Sequence, residues 1–276
     1  MNLTITSRAT LANGVQIPYL GLGVFKADPG GEARMAVRRA LEIGYRHVDT
    51  AAIYHNEADV GVAIRDSSIP REDIFVTTKL WNRDHGRDRA IRACRDSLGR
   101  LGLDYVDLYL VHWPVKGVRR DTWRGMVTLL RDGLCRAIGV SNYTVRHLAE
   151  LLDDDHEVVP AVNQVEFNPF LYQRELLAFC RERGIQLEAY SPLARGKKLD
   201  HPVLRDVAAR YAVTPAQVMI RWALQHDLVV IPKSVNPDRL AENAGVFGFS
   251  IGADDMARLD ALDEGLRLSW DPSDAP

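Results

Sequence analysis

Asp49, Tyr54, Lys79 and His112, all in the first half of the sequence, are side chains that together can move a proton. A tyrosine hydroxyl, with an ordinary pKa of about 10, is a poor acid near neutrality unless a nearby cation favours its phenolate. Lys79 could supply that cation and Asp49 could hold it charged and in place. His112 could then orient a carbonyl oxygen toward the Tyr54 hydroxyl acting as general acid. Each residue alone has a plainer use: Asp49 with Lys79 as a structural ion pair, His112 as a hydrogen-bonded core histidine, Tyr54 as a packing residue. Their coincidence on three successive strand–helix units, facing one mouth, is what favours chemistry.

That placement depends on the elements around them. Tyr105–Pro114, YVDLYLVHWP, is a short run of β-branched, aromatic and aliphatic residues closed by Pro114, so it reads as a buried strand with His112 at its C-terminal edge. The same unit recurs along the chain. Gly21 and Gly23 flank a first short strand, followed by helical spacing over Glu32–Gly44. Tyr45–Thr50 leads to helical Glu57–Arg65, Asp73–Leu80 to helical Asp88–Leu101, and the strand before His112 to helical Asp121–Arg131. Leu134–Asn142 precedes a helix over Val145–Leu152 with an acidic end at Asp153, Asp154 and Asp155. Ala161–Phe167 precedes helical Arg174–Arg183, and Ile185–Tyr190 precedes helices over His201–Tyr211 and Pro215–Gln225. Leu228–Ser234 is the last strand and leads into Pro237–Asn243 and Ala253–Leu262. Eight strands each followed by helix give the α/β pattern of a (β/α)8 TIM barrel, with an extra helix at the C-terminus. Asn13-Gly14, between short β-prone runs, signals a two-residue hairpin ahead of it. A single barrel of about 250 residues fits the length, and no linker divides residues 1–276. The tail after Leu262 is expected to be irregular and surface-lying.

Composition narrows the class. A hydrophobic fraction of 46% and a charged fraction of 26% suit a folded globular protein with a large core. Lys and Arg number 35 against 37 Asp and Glu, a formal charge of −2, which speaks against a nucleic-acid or membrane-surface role. Cys94, Cys135 and Cys180 are odd in number and lack CxxC spacing, so neither a disulfide framework nor a zinc site is indicated, and a reducing compartment is expected. The N-terminus has no basic start followed by a long apolar core, and no run of about 18 apolar residues occurs, so a cytoplasmic location is expected. GxSxG, HExxH and Walker motifs are absent.

Barrel chemistry gathers where strands end. Here those ends hold Asp49 with Tyr54 beyond it, Lys79, His112 with Trp113, Ser141 with Asn142, Tyr190 with Ser191, and Lys233 with Ser234, while the sixth strand carries Gln164. The segments DTAAIYHNEADVG (49–61), TTKLWN (77–82), LVHWP (110–114), GVSN (139–142) and IPKS (231–234) resemble the aldo-keto reductase superfamily. The resemblance spans nearly the whole chain and is strongest to prokaryotic members of the 2,5-diketo-D-gluconate reductase type. It implies NADPH-dependent reduction of aldehydes and ketones, including α-dicarbonyls or keto-sugars, by an enzyme that needs no metal. Hydride would come from nicotinamide C4 and the proton from Tyr54, with Asp49, Lys79 and His112 completing the tetrad. NADP(H) would be held without a Rossmann domain, in keeping with GLGVFK (21–26), which has GxG but not the third glycine. By resemblance, Ser141, Asn142 and Gln164 hold the nicotinamide carboxamide, Tyr190 stacks on its ring, and Ser191 to Leu193 lie along the pyrophosphate. Lys233, Ser234, Val235 and Arg239 then bind the 2′-phosphate end, with Glu242 and Asn243 near the adenine. A near-neutral chain needs local cations to hold a phosphate dianion, which gives Lys233 and Arg239 a physical warrant.

Phe25, Trp81 and Trp113, on loops after strands one, three and four, are expected to wall a carbonyl-substrate pocket, with Trp270 of the tail as a lid. His55, directly after Tyr54, has no role that the sequence supplies. A monomer with a small-molecule substrate, and with no nucleic-acid or membrane partner, is expected. Two rivals stand beside the reductase: an NADP(H)-binding barrel with a structural or regulatory role, similar to potassium-channel β subunits or lens crystallins, and a phosphate-binding barrel isomerase. The intact tetrad weighs against the first.

Overall fold

The apolar runs that end in polar residues form parallel strands. In the computed structural model, which describes residues 3–153 and 158–274, eight of them make one sheet: β3 (Leu22–Gly23), β4 (His47–Asp49), β5 (Phe75–Leu80), β6 (Val106–Val111), β7 (Cys135–Ser141), β8 (Val162–Glu166), β9 (Gln186–Tyr190) and β10 (Val229–Val230). They lie in sequence order, each parallel to the next. Parallel bridges from Leu20 to Val230 and from Gly23 to Lys233 join the first strand to the last, closing the sheet into a barrel. Every residue of β5, β6 and β8 is buried, as a strand covered on both faces requires.

Helices follow the strands: α1 (Glu32–Ile43), α2 (Glu57–Arg65), α3 (Arg87–Leu101), α4 (Arg119–Arg131), α5 (Val145–Leu152), α6 (Arg174–Glu182), α7 (Pro202–Arg210), α8 (Pro215–Gln225), α9 (Pro237–Ala244) and α10 (Ala253–Asp260). Their starts are written in local chemistry. Thr144 and Thr214 make capping boxes with His147 and Gln217, Asn236 accepts from the backbone of Asp238 and Arg239, and Pro215 and Pro237 occupy the first helical turn. Gly61 lets α2 approach α3 closely, because a Cβ there would sit 1.9 Å from the Leu101 carbonyl oxygen. At the N-terminal end of the barrel, buried Asp107 accepts from the Val76 backbone and from Arg71 and Arg136, so this charge is fully partnered.

Three expectations need correction. The hairpin β1 (Arg8–Thr10) with β2 (Gln16–Pro18) is present, but Asn13-Gly14 is not a two-residue loop. The Gly14 amide donates to the Leu11 carbonyl and Gly14 has φ +83°, so the chain makes a type I turn followed by a left-handed glycine, a three-residue loop. The last strand is only Val229–Val230, because Pro232 offers no N–H to the ladder; Lys233 still reaches the first strand through its bridge to Gly23. The tail does not simply lie on the surface. Glu166, at the end of β8, accepts from the Leu268 and Ser269 amides and draws the tail across the barrel mouth. Asp154 and Asp155, expected at the end of α5, and His156 lie outside the described residues, as do Ala275 and Pro276 of the tail.

Candidate active site

Strand register delivers the tetrad to one place. Asp49 ends β4 opposite Thr77 of β5, and Lys79, two residues on, points to the same side as Thr77. The Lys79 ammonium, fully buried, donates to Asp49 Oδ1 at 2.6 Å and to the Thr50 carbonyl at 2.9 Å. It also lies 5.1 Å from the centre of the Tyr54 ring. Tyr54 closes a short 3-10 turn, Ala52–Tyr54, and His55 follows it with φ 58°, so the chain reverses just after the tyrosine. The His112 ring meets Tyr54 edge-on, with centres 5.8 Å apart.

The electrostatics suit a proton donor. Burial pushes the Tyr54 hydroxyl above its usual value and Lys79 pulls it back without winning, so the group is protonated at neutrality while any phenolate that forms meets a cation. Lys79 acts in the direction expected of the cation beside Tyr54, but burial is the larger influence. Burial, then Lys79 and His85, hold the His112 imidazole well below the usual histidine range, so the ring is neutral. A neutral imidazole has one N–H to offer a carbonyl oxygen, and its buried Nδ1 has no partner among the described residues. Burial raises Asp49, against the pull of Lys79 and of Gln164, whose Nε2 donates to Oδ2 at 2.8 Å.

Above this floor opens a cavity of about 1200 Å3. Asp49, Tyr54 and His112 line it, with Lys79 buried beneath. Ser141, Asn142, Gln164, Tyr190, Ser191 and Leu193 line one flank, and Lys233, Ser234, Arg239, Glu242 and Asn243 the far end. Val235 is the exception: it packs against the hydrophobic core instead. The flank is internally braced. Ser141 Oγ donates to the Gln164 carbonyl, Asn142 Nδ2 to the His112 carbonyl, and the Tyr190 hydroxyl to Asn142 Oδ1. Lys26, Asn142, Ser191 and Arg195, all lining the cavity, have positive φ; such conformations persist only where the surrounding structure enforces them.

A nicotinamide dinucleotide suits this cavity on two observations. Lys233 and Arg239 make no ion pair among the described residues, so two cations at one end are left to meet an anionic group. At the other end the braced amides and the Tyr190 ring surround the tetrad. Phe25, Trp81, Trp113 and Trp270 complete the wall beside Tyr54 and His112. Phe25 stands 4.9 Å from the Tyr54 ring and Trp81 5.3 Å from His112; Trp270, 66% exposed, reaches within 5.3 Å of Trp113 and 6.5 Å of Trp81.

Sequence reasoning missed several groups. Arg195, in the loop after β9, lines the cavity and donates to Ser269 Oγ, tying that loop to the tail; the signal was a basic residue just past the strand end in SPLARG. Glu188, inside β9, joins the tetrad through Gln164 at 3.1 Å and had been counted as strand body. His55 faces an adjoining, arginine-rich cleft rather than the large cavity.

Comparison with known proteins agrees with this arrangement. Residues 20–264 match the model of the Aldo/keto reductase family. The chain is 50% identical over 276 residues to the uncharacterized oxidoreductase YtbE of Bacillus subtilis, covering 99% of this chain and 98% of that protein. It is 48% identical to the glyoxal reductase of the same organism, with 99% of each chain covered, and 48% identical to the methylglyoxal reductase DkgA of Escherichia coli K12, with 95% of each covered. Among solved structures, MGS-M4, an aldo-keto reductase enzyme from a Medee basin deep-sea metagenome library, superimposes with a TM-score of 0.92 at 43% identity, covering 95% of this chain and 97% of that one. The closed barrel, the strand-end tetrad and these likenesses together place the chain in the aldo/keto reductase family, as an oxidoreductase of its prokaryotic branch.

Proposed function

We propose that the protein reduces aldehydes and ketones to alcohols with NADPH, taking α-dicarbonyls or keto-sugars among its substrates. The observation that carries this reading is the Lys79 ammonium, held 2.6 Å from Asp49 directly beneath Tyr54, with a neutral His112 ring beside it, at the floor of the large cavity. The glyoxal and methylglyoxal reductases named among the relatives support the dicarbonyl class. NADPH, when bound, supplies the hydride. Lys233, Ser234 and Arg239 would hold its 2′-phosphate, Ser141, Asn142 and Gln164 its carboxamide, Tyr190 the face of its ring, Ser191 to Leu193 its pyrophosphate, and Glu242 and Asn243 its adenine end.

The protein's part is positioning and proton transfer. His112 offers its N–H to the carbonyl oxygen and sets that oxygen toward Tyr54. Tyr54 gives its proton to the oxygen as negative charge develops there, and Lys79 stabilises the phenolate left behind. Asp49 keeps Lys79 charged and fixed. The four aromatic rings exclude water from this step and shape the pocket for small carbonyls. A panel of α-dicarbonyls, aromatic aldehydes and keto-sugars, assayed by NADPH oxidation, tests the reading: turnover with α-dicarbonyls is expected, and no oxidation with any member of the panel would overturn it.

A further inference from the structure

Glu188 sits inside β9 with no exposed surface, an acid where a barrel interior ordinarily takes an apolar side chain. Register pairs it with Gln164 of β8, so the two side chains leave the sheet on the same face. Gln164 Nε2 donates to Glu188 Oε2 at 3.1 Å and to Asp49 Oδ2 at 2.8 Å. One amide nitrogen therefore ties together two carboxyl groups, and Asp49 in turn holds Lys79. The remaining Glu188 oxygen, Oε1, has no hydrogen-bond partner among the described residues and faces His47 Nε2 of β4 at 3.6 Å. His47 brings no charge, since burial first and Lys79 next lower its pKa to about 3. On the other side, β10 places Val229 opposite Glu188 in register.

The cluster thus holds two acids and one cation. Lys79 is in contact with Asp49, and like charges joined through a single donor cannot both persist in a dry interior, so the second acid keeps its proton. We propose that Glu188 is a positioning residue for the proton-donating centre: its neutral carboxyl completes the Gln164–Asp49–Lys79 chain, and its ionisation would weaken Tyr54 as an acid. Burial and the Asp49 charge push Glu188 up to about 8, opposed by Gln164 and Lys79. A negative Glu188 acts on Tyr54 in the direction that disfavours the phenolate, offsetting Lys79. The link to Tyr54 rests on the reductase reading above; the buried proton does not.

Glu188→Gln preserves the shape and the acceptor for Gln164 while fixing the neutral form at every pH. The first readout needs no turnover: the difference in thermal midpoint, variant minus parent, from acid to alkaline pH. Because the folded-state value lies above the ordinary carboxyl range, the parent loses stability as pH rises toward 8, and the difference should grow in the variant's favour and then level off. The second readout is the pH profile of kcat for carbonyl reduction at saturating NADPH. The parent should fall on an alkaline limb beginning near 8, and the variant should lack this limb. A pH-independent stability difference overturns the buried proton. A growing difference with superimposable kcat profiles overturns the link to Tyr54. If neither protein oxidises NADPH, the reductase reading fails and the stability measurement alone decides whether Glu188 keeps its proton.

Discussion

Replacing Lys79 by methionine, a side chain of similar length, removes the cation and leaves Asp49 buried with Gln164 as its remaining side-chain donor. Breaking a buried ion pair from one side costs about 3–5 kcal/mol. The pH dependence follows from the same geometry. Burial already raises Asp49 against the pull of Lys79, so without Lys79 the carboxyl escapes its charge by taking a proton. Holding that proton costs about 1.4 kcal/mol for each pH unit above the ordinary value near 3.9, or about 4 kcal/mol at pH 7 and about 1.5 kcal/mol at pH 5. A group whose folded value is raised keeps its stabilisation below the unfolded value and loses it as pH rises, so Lys79→Met should be most penalised at neutral pH and recover on acidification. Urea unfolding of parent and variant, followed by tryptophan fluorescence at both pH values, measures the difference. A cost that is equal at the two pH values, or below about 1 kcal/mol at both, would refute the picture of a buried carboxylate held charged by Lys79.

Other variants probe the cofactor end, the tail and the scaffold. Lys233→Ala and Arg239→Ala should each raise KM for NADPH by about 10–100-fold, the loss of one charge-assisted contact worth about 1.5–3 kcal/mol, with little effect on NADH; an equal rise for both nucleotides would contradict a 2′-phosphate contact. Glu166→Ala removes the acceptor for the Leu268 and Ser269 amides, so KM for substrate should rise about tenfold or more as Trp270 loses its seat; an unchanged KM would show that the tail does not shape the pocket. Gly61→Ala would press a methyl group onto the Leu101 carbonyl oxygen and should lower stability by about 1–3 kcal/mol in thermal unfolding; a neutral result would mean that α2 and α3 can separate freely.

The strand ends were the legible part of the site. Asp49, Lys79, His112, Ser141 and Tyr190 close or directly follow buried runs whose composition announces a strand, and barrel closure then turns eight parallel strand ends toward one mouth. Glu188 was not legible because alternation inside IQLEAY does not say which face meets the interior polar cluster; that depends on Gln164 in the neighbouring strand and Asp49 across the barrel. The tail carries no periodicity, and its path is set by a carboxylate about a hundred residues earlier in the chain. Val235 followed the motif into the cofactor set by sequence proximity, yet its apolar side chain turns to the core while its neighbours Lys233 and Ser234 line the cavity. The turn at Asn13-Gly14 was legible as a hairpin but not in its type, since one added residue changes the loop without changing the dipeptide.

The central claim, that Tyr54 gives the proton in carbonyl reduction, is tested most directly by single-turnover oxidation of NADPH preloaded on the parent and on Tyr54→Phe, each mixed with methylglyoxal. The account predicts that both proteins quench tryptophan fluorescence equally on binding NADPH and that oxidation in the variant is slower by about 10²–10⁴-fold. Oxidation at the parental rate in Tyr54→Phe, with NADPH bound as tightly, would contradict it.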